Sequence, residues 1–203
     1  MTTPEKFKKI IIANELGGDL SHALRFSDPD GVRCGKSGWS FGICQFDLNN
    51  NPMAATCLTA CGFSDSEIAA LKAQTIDVTL LEHRLRAAAE IIAGYDENQL
   101  GSCLLRADNL CSLFNLTPVD EAAILAVADY DNQFHFSAVN KPGYLVHYLA
   151  VLNRPFTAED ILEFKLHHTK WGRTKTKDVD GAEDCRRRHK NVMRIATEGT
   201  EKS

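Results

Sequence analysis

The chain has 203 residues, 44% of them hydrophobic and 25% charged, with a formal net charge of −4. That composition excludes a disordered chain, a collagen and a simple coiled coil, and the length lets one domain bury a core without staples. No apolar run approaches the ~20 residues of a membrane span, and Met1-Thr2-Thr3-Pro4-Glu5-Lys6 lacks the apolar region of a secretory signal, so a soluble protein without stable membrane insertion is expected.

The first predicted element is a helix. Thr3 reads as its N-cap and Pro4 as its first residue. Phe7, Ile10, Ile11 and Ile12 supply an apolar face, and Leu16-Gly17-Gly18 ends it. Glu15 follows Phe7 and Ile11 by eight and four positions, which places it on the buried face at the C-terminal end. Desolvation and the negative end of the helix both favour the protonated acid there, the state a general acid needs. A surface or capping glutamate is the plainer alternative.

Residues 25–51 read as a loop or small irregular hairpin. Ser27-Asp28-Pro29-Asp30-Gly31 is a turn signal, and Gly31, Gly35, Gly38 and Gly42 punctuate short aromatic and polar stretches. Helical signals resume after Pro52. Ser64 to Glu67 has capping-box spacing, and Ile68, Leu71, Ile76, Leu80, Leu81 and Leu85 follow at helical intervals. Thr117-Pro118 predicts another start, for a helix carrying Ala122 to Asp129, and Thr157 caps one with Ile161, Leu162, Phe164 and Leu166. A last helix is expected over Glu183 to Ala196, after a polar, exposed stretch from Gly172 to Gly181. The reading is a mostly α protein, one domain over 1–203, with a basic helical C-terminal segment at about 155–203.

Residues 165–194 carry ten Lys or Arg against four Asp or Glu, on an otherwise acidic chain. A basic end suggests an anionic partner, and a solvated helix face is the plainer reading. The overall balance argues against a nucleic-acid binder. The seven cysteines, Cys34, Cys44, Cys57, Cys61, Cys103, Cys111 and Cys185, contain no CxxC pair and read as reduced, mostly buried thiols. His167-His168 on a helix point to different faces, so no metal pair is expected, and no cofactor fingerprint is present.

Gly38-Trp39-Ser40-Phe41-Gly42-Ile43-Cys44-Gln45-Phe46-Asp47 follows the helix that ends near Glu15. This order of helix, terminal glutamate and glycine-rich hairpin resembles the lysozyme-like superfamily. Phe41 to Asp47 is similar to the Phe-Gly-Leu-Met-Gln-Val-Asp segment of goose-type lysozymes and the Gly-Leu-Met-Gln segment of lytic transglycosylases. Thirty positions separate Glu15 from Gln45, more than is usual in those families, and the extra length falls around Asp28-Pro29-Asp30. Ala126 to Phe134, with Tyr130, Asn132 and Gln133, resembles the Ala-Tyr-Asn segment that lines the sugar cleft.

The resemblance implies a lysozyme-like fold with a small β-hairpin at the active-site cleft, and a phage endolysin without cofactor or metal. It would be made in the host cytoplasm, act as a monomer on bacterial peptidoglycan in the periplasm, and cleave the β-1,4 MurNAc–GlcNAc bond. Glu15 would be the general acid, with Asp47 or Asp30 as base or electrostatic stabiliser; an inverting pair would stand about 6.5–9.5 Å apart. Trp39, Ser40, Gln45, Tyr130, Asn132 and Gln133 would bind substrate. A plainer reading of Asp47 is a helix N-cap before residues 48–51, and of Trp39, hairpin core. A lytic transglycosylase, in which the sugar's own 6-hydroxyl attacks, needs no second carboxylate. A bacterial wall-degrading effector, a non-catalytic wall-binding module and a Cys44–His135 peptidase are the other readings.

Overall fold

The computed structural model describes residues 1–29, 31, 34–134, 143–177 and 179–198. Among these residues the chain is mostly helical, with nine α-helices and one two-stranded antiparallel sheet. None of the described helices is long and apolar enough to cross a membrane. The chain divides into two compact units, residues 1–14 with 100–203, and residues 15–99.

The first unit begins with α1 (Thr3–Glu15), which crosses into the second unit at its last residue. Its buried positions are Lys6, Phe7, Ile10, Ile11 and Asn14. The stripe thus advances by three or four residues to Asn14, and Glu15 sits half-buried at its edge rather than within it. The helices α6 (Glu121–Phe134), α8 (Ala158–His168) and α9 (Gly181–Ala196) pack on one another. Leu125, Val127, Ala128, Ile161, Phe164, Val192 and Ile195 of these helices are buried, and α7 (Gly143–Val151), in which Leu145 and Leu149 are buried, packs on α8.

α6 starts three residues later than Thr117-Pro118 predicts. Residues 117–119 pair instead with Phe156, Phe156 N donating to Thr117 O and Val119 N to Phe156 O, each at 2.9 Å. Asp120 then takes the capping role, accepting from Ala123 N at 3.0 Å. Thr157 caps α8 as predicted, with Asp160 completing a capping box, and Asp180 caps α9, which begins two residues ahead of the expected start. The stretch before α9 is not wholly exposed. Gly172 and Gly181 are buried, and each must be glycine because a Cβ would collide with the carbonyl oxygen of Lys165 or Trp171 respectively.

The second unit carries the hairpin, β1 (Ser40–Phe41) and β2 (Phe46–Asp47), in the register Ser40 to Asp47 and Phe41 to Phe46. Phe26, Phe41, Phe46 and Phe63 form its aromatic core, with neighbouring ring centroids 5.7–6.3 Å apart. α2 (Pro52–Ala60) has Asn51 as N-cap and Pro52 as first residue. It ends with Gly62 at φ +82°, Gly62 N donating to Thr59 O and Phe63 N to Leu58 O, the paired bonds of a glycine C-cap. α3 (Asp65–Lys72) opens with the predicted Ser64–Glu67 capping box, and α4 (Glu82–Ala87) follows a short 3₁₀ turn.

The sequence reading did not delimit α5 (Ala89–Leu113), the longest described helix. Its buried stripe runs Ile92, Asp96, Leu100, Cys103, Ala107 and Leu110, and an acidic residue interrupts the apolar pattern at Asp96.

Candidate functional site

Glu15 closes α1, and the residue before it is firmly held within the first unit. Asn14 Nδ2 donates to Asp129 Oδ1 at 2.9 Å, while Asn191 Nδ2 donates to Asn14 Oδ1 at 2.9 Å. Arg187 donates to the Asn14 carbonyl at 3.1 Å, placing a cation at the carbonyl end of α1. Glu15 itself begins the second unit and engages in further polar interaction.

The hairpin in that unit is built by backbone pairing and one buried acid. Ser27 and Ser40 exchange backbone hydrogen bonds of 2.8 and 2.9 Å, and Gly42 N donates to Ala23 O at 2.8 Å. Gly42 takes φ +78° and Gln45 φ +51°, so both ends of the connecting turn are left-handed. At Gly42 this favours glycine; a Cβ there would also press on Phe46 and on Asp96 Oδ1. Asp96 is 2% exposed and accepts from Ile43 N at 3.0 Å and Cys44 N at 2.9 Å. It fixes the turn as a carboxylate fixes a helix start, by receiving two neighbouring N–H groups. Sequence reasoning missed Asp96; the legible signal was an acid four residues from each of two apolar positions, Ile92 and Leu100.

The predicted residues of the hairpin have distinct surroundings. Gln45 is half-buried and folds back on its own turn: Oε1 accepts from Ser27 Oγ at 2.6 Å and Nε2 donates to Gly42 O at 3.0 Å. Each amide atom keeps one further bonding position. Asp47 Oδ1 accepts from Gly38 N at 2.9 Å, Asn49 N at 2.8 Å and Asn50 N at 3.3 Å, and Oδ2 from Asn50 Nδ2 at 2.7 Å. Burial pushes the Asp47 carboxyl up, but these bonds outweigh it and hold the group below the usual carboxylate range. Asp47 therefore anchors the turn over residues 47–50. Trp39 is half-buried with its indole Nε1 shielded and unbonded, and Ser40 is fully buried with Oγ unbonded. Asp30 and His135 lie outside the described residues.

Tyr130, Asn132 and Gln133 belong to α6 in the first unit. Tyr130 packs 4.9 Å from Phe134 and 5.8 Å from Phe164, and burial raises the pKa of its hydroxyl. Asn132 is 5% exposed and takes part in polar contact. Gln133 Nε2 donates to Asp184 Oδ2 at 3.2 Å, leaving its buried Oε1 unbonded. Asp184 also accepts from Trp171 Nε1 at 2.9 Å and from Arg187 at 2.6 Å. Burial raises the Asp184 pKa, but Arg187 and Trp171 bring it below its ordinary value.

The basic C-terminal segment is partly internal. Lys165 and Arg188 are 4% and 3% exposed, and both pair with the buried Asp129. Arg186, Lys190 and Arg194, at i, i+4 and i+8 of α9, are exposed. Among the described residues no group of three His, Cys, Asp or Glu side chains is placed to hold a metal ion.

No family model matches this chain, no curated protein matches it, and no solved structure matches it.

Proposed function

We propose that the chain cleaves the β-1,4 MurNAc–GlcNAc linkage of bacterial peptidoglycan, with Glu15 as the general acid. One observation carries the reading. A half-buried glutamate is the last residue of α1, and the chain continues into a short two-stranded hairpin whose left-handed corner presents Gln45. That is the order of elements in which the sequence resembles lysozyme-like enzymes. Glu15 would give its proton to the departing glycosidic oxygen as the sugar takes on oxocarbenium character. The remaining donor and acceptor positions of Gln45 suit the hydroxyl or N-acetyl groups of a glycan.

The hydrogen bonds on Asp47 favour a second reading, a lytic transglycosylase. A carboxylate holding four donors is poorly suited to take a proton from water. Attack by the MurNAc 6-hydroxyl needs no such base. Glu15 would first protonate the leaving oxygen and then accept the proton of that hydroxyl, leaving an anhydro sugar.

Digestion of purified peptidoglycan by the wild type and by Glu15→Gln, with mass spectrometry of the soluble fragments, tests both. Reducing MurNAc ends from the wild type alone identify a muramidase, and anhydro-MurNAc ends a transglycosylase. Free peptides with uncut glycan, equal activity in Glu15→Gln, or binding to walls without any cleavage overturns the glycosidase assignment.

A further inference from the structure

The first unit buries more positive charge than negative where α6, α8 and α9 meet. The Asp129 carboxylate is fully engaged there. Oδ1 accepts from Arg188 Nη2 at 2.6 Å and Asn14 Nδ2 at 2.9 Å, and Oδ2 from Arg188 Nε at 3.1 Å and Lys165 Nζ at 3.4 Å. Asp129, Lys165 and Arg188 are all buried, so one carboxylate answers two cations. The two-pronged pair with Arg188 neutralises Asp129, and Lys165 is the charge left over. A further acid whose field reaches Lys165, Asp184, is itself paired with Arg187 at 2.6 Å. Glu159 is exposed and lies 3.6 Å from His189.

Lys165 is also short of hydrogen bonds. An ammonium has three donors, and among the described residues Nζ makes only the long bond to Asp129. Beside it is a cavity of about 10 Å³, the room that one water or small ion needs. Lys165, Asp129, Cys185, His189, Ile161 and Leu162 are among the residues that line it. Leu162 and His189 are partly exposed, which gives the cavity a way to solvent.

We infer that this cavity is a halide site, in which a chloride ion accepts from the Lys165 ammonium and supplies the negative charge that the cluster lacks. The inference is independent of the glycosidase reading. A buried ion without a counter-charge is costly. A water in the cavity would fill hydrogen bonds but leave that charge uncompensated, whereas an anion does both.

Size and wall chemistry select the class of anion. Phosphate, sulfate and organic carboxylates are too large for the cavity. Beyond the lysine its walls offer little polarity: the Cys185 thiol is a weak donor, and Ile161 and Leu162 offer none. A monatomic, weakly hydrated anion suits them. The Asp129 charge opposes its entry little, because Arg188 holds both carboxylate oxygens.

The test melts the full chain in sodium gluconate and in sodium chloride at equal ionic strength. Gluconate is too large to enter and keeps screening constant. Replacing it by about 200 mM chloride is expected to raise Tm by about 3 °C or more, and bromide to do the same. Lys165→Met is expected to lose this rise. In gluconate it is expected to melt no lower than the unsubstituted protein, because it removes the excess charge and keeps the Arg188–Asp129 pair. Crystals of the unsubstituted protein grown in bromide are expected to show an anomalous peak within hydrogen-bond reach of Lys165 Nζ, which decides the matter if Lys165→Met does not fold. Equal melting in chloride and gluconate, a chloride effect that survives Lys165→Met, or bromide bound only elsewhere overturns the site and leaves Lys165 an uncharged amine. A peak beside Lys165 with no effect of chloride on Tm marks an adventitious ion only and overturns it too.

Discussion

Arg188 grips Asp129 with two hydrogen bonds inside the first unit, Nη2 to Oδ1 at 2.6 Å and Nε to Oδ2 at 3.1 Å. Lys165 lies 3.4 Å from the same carboxylate. Burial alone would raise the Asp129 pKa, but the two cations hold it well below the carboxylate range. Arg188→Met removes the bidentate partner and leaves the buried carboxylate to Lys165 and Asn14, so a loss of about 3 kcal/mol is expected in urea unfolding. Replacing Asp129 by Leu in the same chain should not restore it fully, because Lys165 would then be the stranded ion.

Asp96→Ala leaves the Ile43 and Cys44 N–H groups buried without their acceptor. Hydrogen bonds to a charged group contribute about 1.5–3 kcal/mol each, so a loss of about 3–6 kcal/mol is expected for the second unit. Asp96→Asn, which keeps one acceptor oxygen, should lose less. Chemical denaturation read at Trp39 would check the order.

Asp47→Asn separates anchoring from proton transfer. The amide oxygen can keep part of the backbone bonding but cannot act as a base. If the substrate hydroxyl is the nucleophile, Asp47→Asn should cost less than about tenfold in turnover, whereas Glu15→Gln should cost about 10²–10⁴-fold. Comparable losses for both would make Asp47 a catalytic base.

His189 imposes a pH dependence on stability. Burial lowers its pKa; Glu159, 3.6 Å away, opposes this and Lys165 adds to it. The unfolded chain therefore takes up this proton at a higher pH than the folded one. The stability tied to neutral His189 is intact above the ordinary histidine pKa of about 6.5 and is lost as pH falls through the lower folded value. His189→Gln should flatten the slope of unfolding free energy below that pKa. An unchanged slope would place the titration elsewhere.

Much of the local structure was legible because capping chemistry and apolar spacing act over a few residues. Pro4, Pro52, Ser64 and Thr157 marked helix starts that the structure contains, and the glycines of residues 38–42 marked the hairpin. Thr117-Pro118 misled as a helix start because a contact 38 residues distant, with Phe156, took those residues into a bridge. α5 escaped because Asp96 breaks the apolar stripe that would have revealed it.

The sequence by itself determined the helical class, the hairpin and the position of Glu15 at the end of the first helix, since propensity, caps and periodicity are local properties. Only the tertiary structure decided which charges are structural. Lys165 and Arg188 look like members of a solvated basic segment until Asp129 is brought against them. Asp47 looks like a candidate base until its carboxylate is seen receiving the N–H groups of its own turn. Burial and partnership set the state of an ionisable group, and both depend on residues far apart in the chain or on a turn whose shape spacing does not encode.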